Sequence, residues 1–270
     1  MMNNNENIQA EKVTTPSPRG GKGVGAVDSY PFYVEPFHVD MTGRMFLGIL
    51  GNHLLNAAGR HSQRRGWGIG ALNETRHTWV LSRLSIEFEE MPRQYESGTI
   101  ETWVESVIKL FTNRSFAILR EDGSAYGYAR SIWAMIDMET RRPCDLLSLY
   151  DGDILRYVVP EDEKACPIAG HGRFRFRDPQ LVRTIDTHYS DVDINGHINS
   201  IKYIEHILDL FPAERFRDQR LSRFEIAYKN ESYLGDRLSF YVQETDEDET
   251  DVEVRKNETE VVCQAKVKFK

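Results

Sequence analysis

The segment DVDINGHINSIKYIEH, residues 191–206, gathers two aspartates, two asparagines and two histidines around one glycine. Asp193, Asn195 and His197 sit at alternate positions just ahead of Ile201, Ile204, Leu208 and Phe211, whose spacing of three and four predicts a helix over about 196–211. A carboxylate, an amide and an imidazole together can hold a water, orient a carbonyl and move a proton. The same residue types also form turns and cap helices through local hydrogen bonds. Residue type alone leaves both readings open.

The elements that must position these groups come in two copies. Leu81-Ser-Arg-Leu-Ser-Ile-Glu-Phe88 is echoed by Leu221-Ser-Arg-Phe-Glu-Ile-Ala-Tyr228, an offset of 140 residues. Upstream of each copy lies a helical stretch, 43–61 and 196–211; the first is apolar nearly all round, as a buried helix is. Downstream lie alternating runs that predict strands at 77–90, 97–110, 113–121 and 125–138, and again at 219–229, 237–246, 250–257 and 259–269. A further strand precedes each helix, at 30–38 and 181–189. One antiparallel sheet has enough surface to curl round one apolar helix and bury it. The expected class is therefore α+β, a tandem (double) hot-dog fold. Its division is a flexible tail over 1–28, an N-terminal hot-dog over 29–138, a connector over 139–180 that crosses the sheet surface, and a C-terminal hot-dog over 181–270.

The repeat supplies an internal control. The first copy reads HVDMTGRMF, with Asp40 and Thr42 but no Asn-Gly-His, and Glu231 falls at the offset on Met91. A cluster needed only to start a helix should recur in both halves, so its presence in one points to function. Asp191, Asn199 and His206 are assigned to structure.

Bulk composition bounds the rest. Hydrophobic residues at 40% suffice for a packed core, and a net charge of −8 argues against nucleic acid as the main partner. Cys144, Cys166 and Cys263 show neither CxxC nor metal spacing, as expected of reduced thiols in a cytoplasmic protein. No signal-peptide core and no run near the roughly 20 apolar residues of a membrane span is present. GGKGVGA (20–26) reads as linker, GWGIG (66–70) as loop, and TDEDETD (245–251) as a solvated hairpin loop. No metal and no cofactor are expected.

These segments resemble the plant-type fatty acyl-ACP thioesterases, in a bacterial-looking version. DVDINGHINSIKYIEHILD is similar to that family's Asp-x-Asn-x-His segment followed by Asn-Asn-x-x-Tyr-Ile, and YKNES (228–232) resembles its Tyr-Arg-Arg-like strand ending in Glu-Cys. HLLNAAGRH and WVLSRLSIEF in the first half add to a likeness covering roughly residues 30–270. The resemblance implies hydrolysis of fatty acyl-ACP to free fatty acid and acyl carrier protein, with Asp193, Asn195, His197 and Glu231 as catalytic positions. Ser232 stands where the plant enzymes have cysteine, which puts a thiol nucleophile out of reach and leaves Ser232 an auxiliary role.

The chemistry that fits is attack by water, with Glu231 or Asp193 as general base. Two adjacent carboxylates would raise one another's pKa, and backbone N–H groups at the helix start would steady the oxyanion. The leaving thiol, with a pKa of about 8.5, needs little acid assistance. Strict alternation places Glu231 on the face opposite Phe224, Ile226 and Tyr228, so it reaches the cluster only where the strand ends or bulges. Leu50 and Leu54 are expected to touch the acyl chain, and Lys202, Lys229, Arg64 and Arg65 to form a basic dock for the acidic carrier. Rival readings are an acyl-CoA thioesterase, an enoyl-thioester hydratase and a non-catalytic acyl-binding module. Exposed sheet edges make a homodimer reasonable.

Overall fold

The computed structural model describes residues 25–270. Each repeat begins with a strand, β1 (Val27–Tyr33) and β6 (Gln180–Asp186). A long helix α1 (Leu47–Arg64) and short α2 (Ile69–Glu74) follow in the first half, α3 (Ser200–Leu208) and α4 (Ala213–Asp218) in the second. Four antiparallel strands complete each half: β2 (His77–Phe88), β3 (Ser97–Ile108), β4 (Phe111–Arg120) and β5 (Ala125–Asp137), then β7 (Leu221–Tyr228), β8 (Arg237–Asp246), β9 (Glu249–Lys256) and β10 (Glu260–Phe269). All ten form one sheet in the order β1-β3-β4-β5-β2-β7-β10-β9-β8-β6. Its two halves mirror one another, and the two echoed sequences are the strands that meet at the centre, Leu84 opposite Ile226 and Ile86 opposite Phe224. This is a double hot-dog.

Against the concave face, α1 and α3 pack antiparallel and close. A Cβ on Gly51 would stand 2.7 Å from Ile201 Cδ1, and one on Gly48 2.6 Å from Glu205 Oε1, so a larger residue at either position would force those side chains to shift. Leu50, Leu54, Leu84, Ile86, Phe116, Phe224, Ile226 and Phe240 form the core between helices and sheet, all but fully buried.

Residues 139–179 run over the other face. A 3₁₀ stretch (Leu149–Tyr157) leads into a bridge of Val158 with Val104, after which Val159, Cys166 and Ile168 pack on Trp103 and Ala117. Polar pins then cross the junction of the halves. His171 Nδ1 lies 2.7 Å from Ser85 Oγ, Gly172 N–H donates to Glu225 at 2.8 Å, and Arg223 bridges Glu87 and Glu225 at 2.6 and 2.7 Å. This cover is why Ser85 and Glu225 are buried on the face where alternation alone would leave them wet.

Several boundaries differ from the sequence reading. The expected tail (1–28) and its glycine-rich 20–26 stretch lie mostly outside the described residues, but Val27 and Asp28 already belong to β1, paired with β3. In 66–70, Gly68 is the N-cap of α2 and Ile69-Gly70 its first turn, not loop. Only Glu247 and Asp248 separate β8 from β9; Thr250 and Asp251 are buried, Asp251 paired with Lys266 at 3.2 Å. Among the described residues no helix is long and apolar enough to cross a membrane.

Candidate active site

Both repeats build the same turn ahead of their helix. In the second, Asp193 Oδ1 accepts from the backbone N–H groups of Asn195 (2.8 Å) and His197 (3.2 Å), Asp193 N–H donates to the His197 carbonyl at 2.8 Å, and Gly196 takes φ +80°. In the first, Asp40 Oδ1 accepts from the N–H groups of Thr42 (2.7 Å) and Arg44 (3.3 Å), Asp40 N–H donates to the Arg44 carbonyl at 2.8 Å, and Gly43 takes φ +74°. The first half therefore does carry an equivalent of the Asp-x-x-Gly turn, contrary to the reading from sequence. Substitution within a shared scaffold is what separates the halves: Asn195 replaces Thr42 and His197 replaces Arg44.

The partner segment repeats too. Ile198 N–H donates to the Ser232 carbonyl, and Met45 N–H to the Pro92 carbonyl, both at 2.8 Å; His197 bridges Tyr233 as Arg44 bridges Arg93. Glu231 thus occupies the place of Met91. It escapes the alternation of β7 because that strand ends at Tyr228, and the following segment turns to pair with 197–198. Glu231 Oε1 comes to 3.5 Å from His197 Nδ1, and Tyr233 Oη donates to Oε2 at 3.3 Å. The Tyr233 ring stands edge-on to the imidazole, centroids 5.2 Å apart.

A further residue enters from the connector. Arg141 ion-pairs with Glu231 Oε1. It is held by a turn in which Asp137 Oδ1 accepts from the N–H groups of Glu139 and Thr140, and Arg141 N–H donates to the Asp137 carbonyl at 2.9 Å. Arg141 itself takes φ +57°, a left-handed conformation that costs a non-glycine residue about 1 kcal/mol. Nothing in ETRRPC marks this arginine in one dimension; only the chain reversal after β5 brings it to the site. The two candidate bases meet only at His197, Asp193 through its backbone N–H and Glu231 through its ring; otherwise the carboxylate of Asp193 faces its own turn and that of Glu231 faces Arg141 and Tyr233.

The helix start offers fewer donors than expected. Asn199 caps α3, its Oδ1 accepting from Ile201 N–H at 2.9 Å and its carbonyl from Lys202 N–H, also at 2.9 Å. With the N–H groups of 195–197 bonded within the turn and those of 198 and 199 to the Ser232 and Asp191 carbonyls, that of Ser200 is the one left without a partner among the described residues of 195–202. Asp191 and His206 hold each other at 3.1 Å beneath the turn.

Asp193, Asn195, His197, Ser200 and Glu231 open onto a cavity of about 680 Å³. Its walls include Leu55, Ala58, Trp67, Leu81, Trp133 and Ile154, drawn from the first half and the connector. Leu50 and Leu54 do not line it. They are fully buried in the closed core, and their neighbours Leu55 and Ala58 take the lining positions. Ser232 is also elsewhere: its hydroxyl is buried against Tyr203 Oη, away from the cavity lining. Of the expected docking residues, Lys229 is exposed and Lys202 pairs with Glu205 at 2.7 Å. Arg64 is an exposed partner of Asp28, whereas Arg65 is 1% exposed and bound to Asp28 at 2.8 Å, so it cannot meet a docking protein. Among the described residues no three His, Cys, Asp or Glu side chains gather to hold a metal ion.

Comparison with known proteins gives matches to the domains and solved structures of one family. Residues 27–150 match the acyl-ACP thioesterase N-terminal domain and residues 177–270 its C-terminal domain. The crystal structure of an acyl-ACP thioesterase from Bacteroides thetaiotaomicron is 53% identical, covering 91% of this chain and 98% of its own at a TM-score of 0.86. The 12:0-ACP thioesterase from Umbellularia californica shares the fold at 18% identity and a TM-score of 0.78, over 92% of this chain and 98% of its own. Among curated relatives, oleoyl-acyl carrier protein thioesterase 2 of Arabidopsis thaliana is 25% identical over 219 residues, which is 76% of this chain and 59% of that protein's length.

Proposed function

The chain belongs to the acyl-ACP thioesterase family, and from that premise we propose that it hydrolyses fatty acyl-ACP to free fatty acid and the carrier's thiol. The observation that carries this reading is the pair Glu231–His197, 3.5 Å apart at the mouth of a cavity walled by apolar side chains. The equivalent pair in the other repeat, Met91 and Arg44, offers neither base nor imidazole.

Glu231 acts as general base. It takes a proton from a water whose oxygen attacks the thioester carbonyl carbon. His197, oriented through Nδ1 by Glu231, and the Asn195 amide hold the carbonyl, with Ser200 N–H available to the oxyanion. Collapse of the tetrahedral intermediate breaks the C–S bond, and the sulfur leaves as a thiolate that takes up the proton held on Glu231; with a thiol pKa of about 8.5 it needs no strong acid. Asp193 serves as the positioning group, because its carboxylate is taken up by the turn that presents Asn195 and His197. Arg141 steers Glu231, and the acyl chain lies along Leu55 and Ala58. The reaction belongs to the cytoplasm, and the free edges β1 and β6 support a homodimer.

Purified protein assayed on matched acyl-ACP and acyl-CoA thioesters tests the assignment. Thiol release with a kcat/KM at least about tenfold higher on the carrier protein is expected. A preference for CoA ends the carrier reading. Hydration of an enoyl thioester without thiol release makes it a hydratase, and binding without turnover makes it an acyl-binding module.

A further inference from the structure

The cavity changes character along its length. Because Gly51 packs on Ile201 and Gly48 on Glu205, the start of α3 and its catalytic turn lie beside the middle of α1, near Leu55. From there the lining residues Leu55, Ala58, Ser62 and Arg65 continue along one face of α1. At about 1.5 Å per residue the last of them is about 15 Å from the first. A pocket that ended on the methyl group of a plain hydrocarbon chain would be apolar there. Around that end the lining mixes Val104, Ile154 and Tyr157 with the polar side chains of His61, Ser62, Thr112 and Arg114.

Arg114, on β4, is 5% exposed and donates to Thr102 Oγ1 at 3.1 Å and Ser62 Oγ at 3.3 Å, both neutral hydroxyls. Asp28, the acid of this cluster, is engaged by Arg65 at 2.8 Å and Arg64 at 3.1 Å, and among the described residues no carboxylate ion-pairs with Arg114. A guanidinium carries five N–H donors, of which these contacts use two. His61 is 1% exposed, and burial together with the neighbouring Arg114 pushes its pKa down to about 3, so the ring is neutral. Its Nε2–H donates to the Ala26 carbonyl at 3.0 Å. That tautomer leaves Nδ1 as a lone-pair acceptor, buried and without a partner among the described residues. Spare donors and an orphaned acceptor therefore line one end of one cavity, and a hydroxyl is the small group that accepts from the first and donates to the second.

We propose that the far end of the cavity is a hydroxyl-binding subsite formed by Arg114 and His61, and that the preferred acyl substrates carry a hydroxyl near the end remote from the thioester. The proposal rests on the acyl-thioester reading for the identity of the ligand's other end. Calorimetric titration of the full chain with saturated fatty acids of increasing length, and with their ω-hydroxy counterparts, tests it without turnover; the corresponding acyl-ACP pairs test it in catalysis. At the length that reaches the floor, the hydroxylated chain should bind about tenfold tighter, with a matching gain in kcat/KM. That advantage should vanish in Arg114→Met and shrink in His61→Phe, each checked for folding by thermal melting. Equal or weaker binding of the hydroxylated chain at every length by the unmodified protein overturns the subsite, as does an advantage that survives in folded Arg114→Met. Hydroxyl-selective binding with no hydrolysis of any thioester would instead overturn the hydrolase reading and leave the subsite standing.

Discussion

At the scale of single residues, the site rests on three side chains arriving from three places. His197 comes from the turn before α3, Glu231 from the segment beyond β7, and Arg141 from the reversal after β5. Glu231→Gln keeps the shape and removes the base, so kcat should fall by about 10²-fold or more with an unchanged melting temperature; His197→Ala should do the same. Near-wild-type turnover in either variant removes that residue from the mechanism. Arg141→Met tests positioning. It should lower kcat about tenfold and leave KM within about twofold, with recovery in Arg141→Lys, which restores a cation beside the carboxylate. Unchanged kcat in Arg141→Met would make Arg141 an ordinary surface ion pair. Asp193, Asn195, His197 and Glu231 could all be named from the sequence because short motifs carry them. Arg141 could not, since its role depends on a left-handed turn and a contact 90 residues away in sequence.

At the scale of elements, one turn is used twice and loaded once. Asp40 and Asp193 make the same side chain-to-backbone hydrogen bonds, so alanine at either position should cost about 1 kcal/mol in urea unfolding. Only Asp193→Ala should also lower kcat, because only its turn carries the imidazole. Equal kinetics in the two variants would show Asp193 to be wholly structural. The helices were legible as apolar periodicity, yet their starts were not. The expected beginnings at 43 and 196 give way to Leu47 and Ser200, because the aspartate turns consume the preceding residues. Likewise Leu50 and Leu54 carry the strongest apolar signal on α1. Yet α1 is not apolar all round as its sequence suggests: Asn52, Arg60 and Gln63 are exposed, and periodicity does not say where on the buried side the core gives way to the cavity.

At the scale of the whole molecule, the connector ties the halves together across the sheet's outer face, and its pins are sensitive to pH. Burial holds the pKa of His171 down to about 4 against an ordinary 6.5, with Glu225 opposing and Arg83 and Arg223 reinforcing the shift. The folded-state pKa lies below the unfolded one. Between pH 6.5 and about 4 the unfolded chain therefore binds a proton that the folded chain refuses, and stability falls as pH falls through that window. The loss attributable to His171 is at most about 3 kcal/mol, and His61, at about 3, adds to it in the same direction. Denaturant titrations of wild type and His171→Asn should show a shallower decline in the variant below pH 6.5. Parallel curves would mean that the connector's ring titrates normally in the fold.

The sequence by itself determined the repeat, the alternation of its strands, the apolar helix in each half and the polar residues placed where a helix begins. These are properties of neighbours along the chain, written in periods of two and three to four. Tertiary structure alone decided which strands meet at the centre and which face of α1 borders the cavity. It also decided that Glu231 leaves its strand to reach His197, that Arg141 crosses to Glu231, and that the unpartnered Nδ1 of His61 and the guanidinium of Arg114 belong to residues lining one cavity. Each of those depends on groups distant in sequence becoming neighbours, and local spacing carries no record of such contacts.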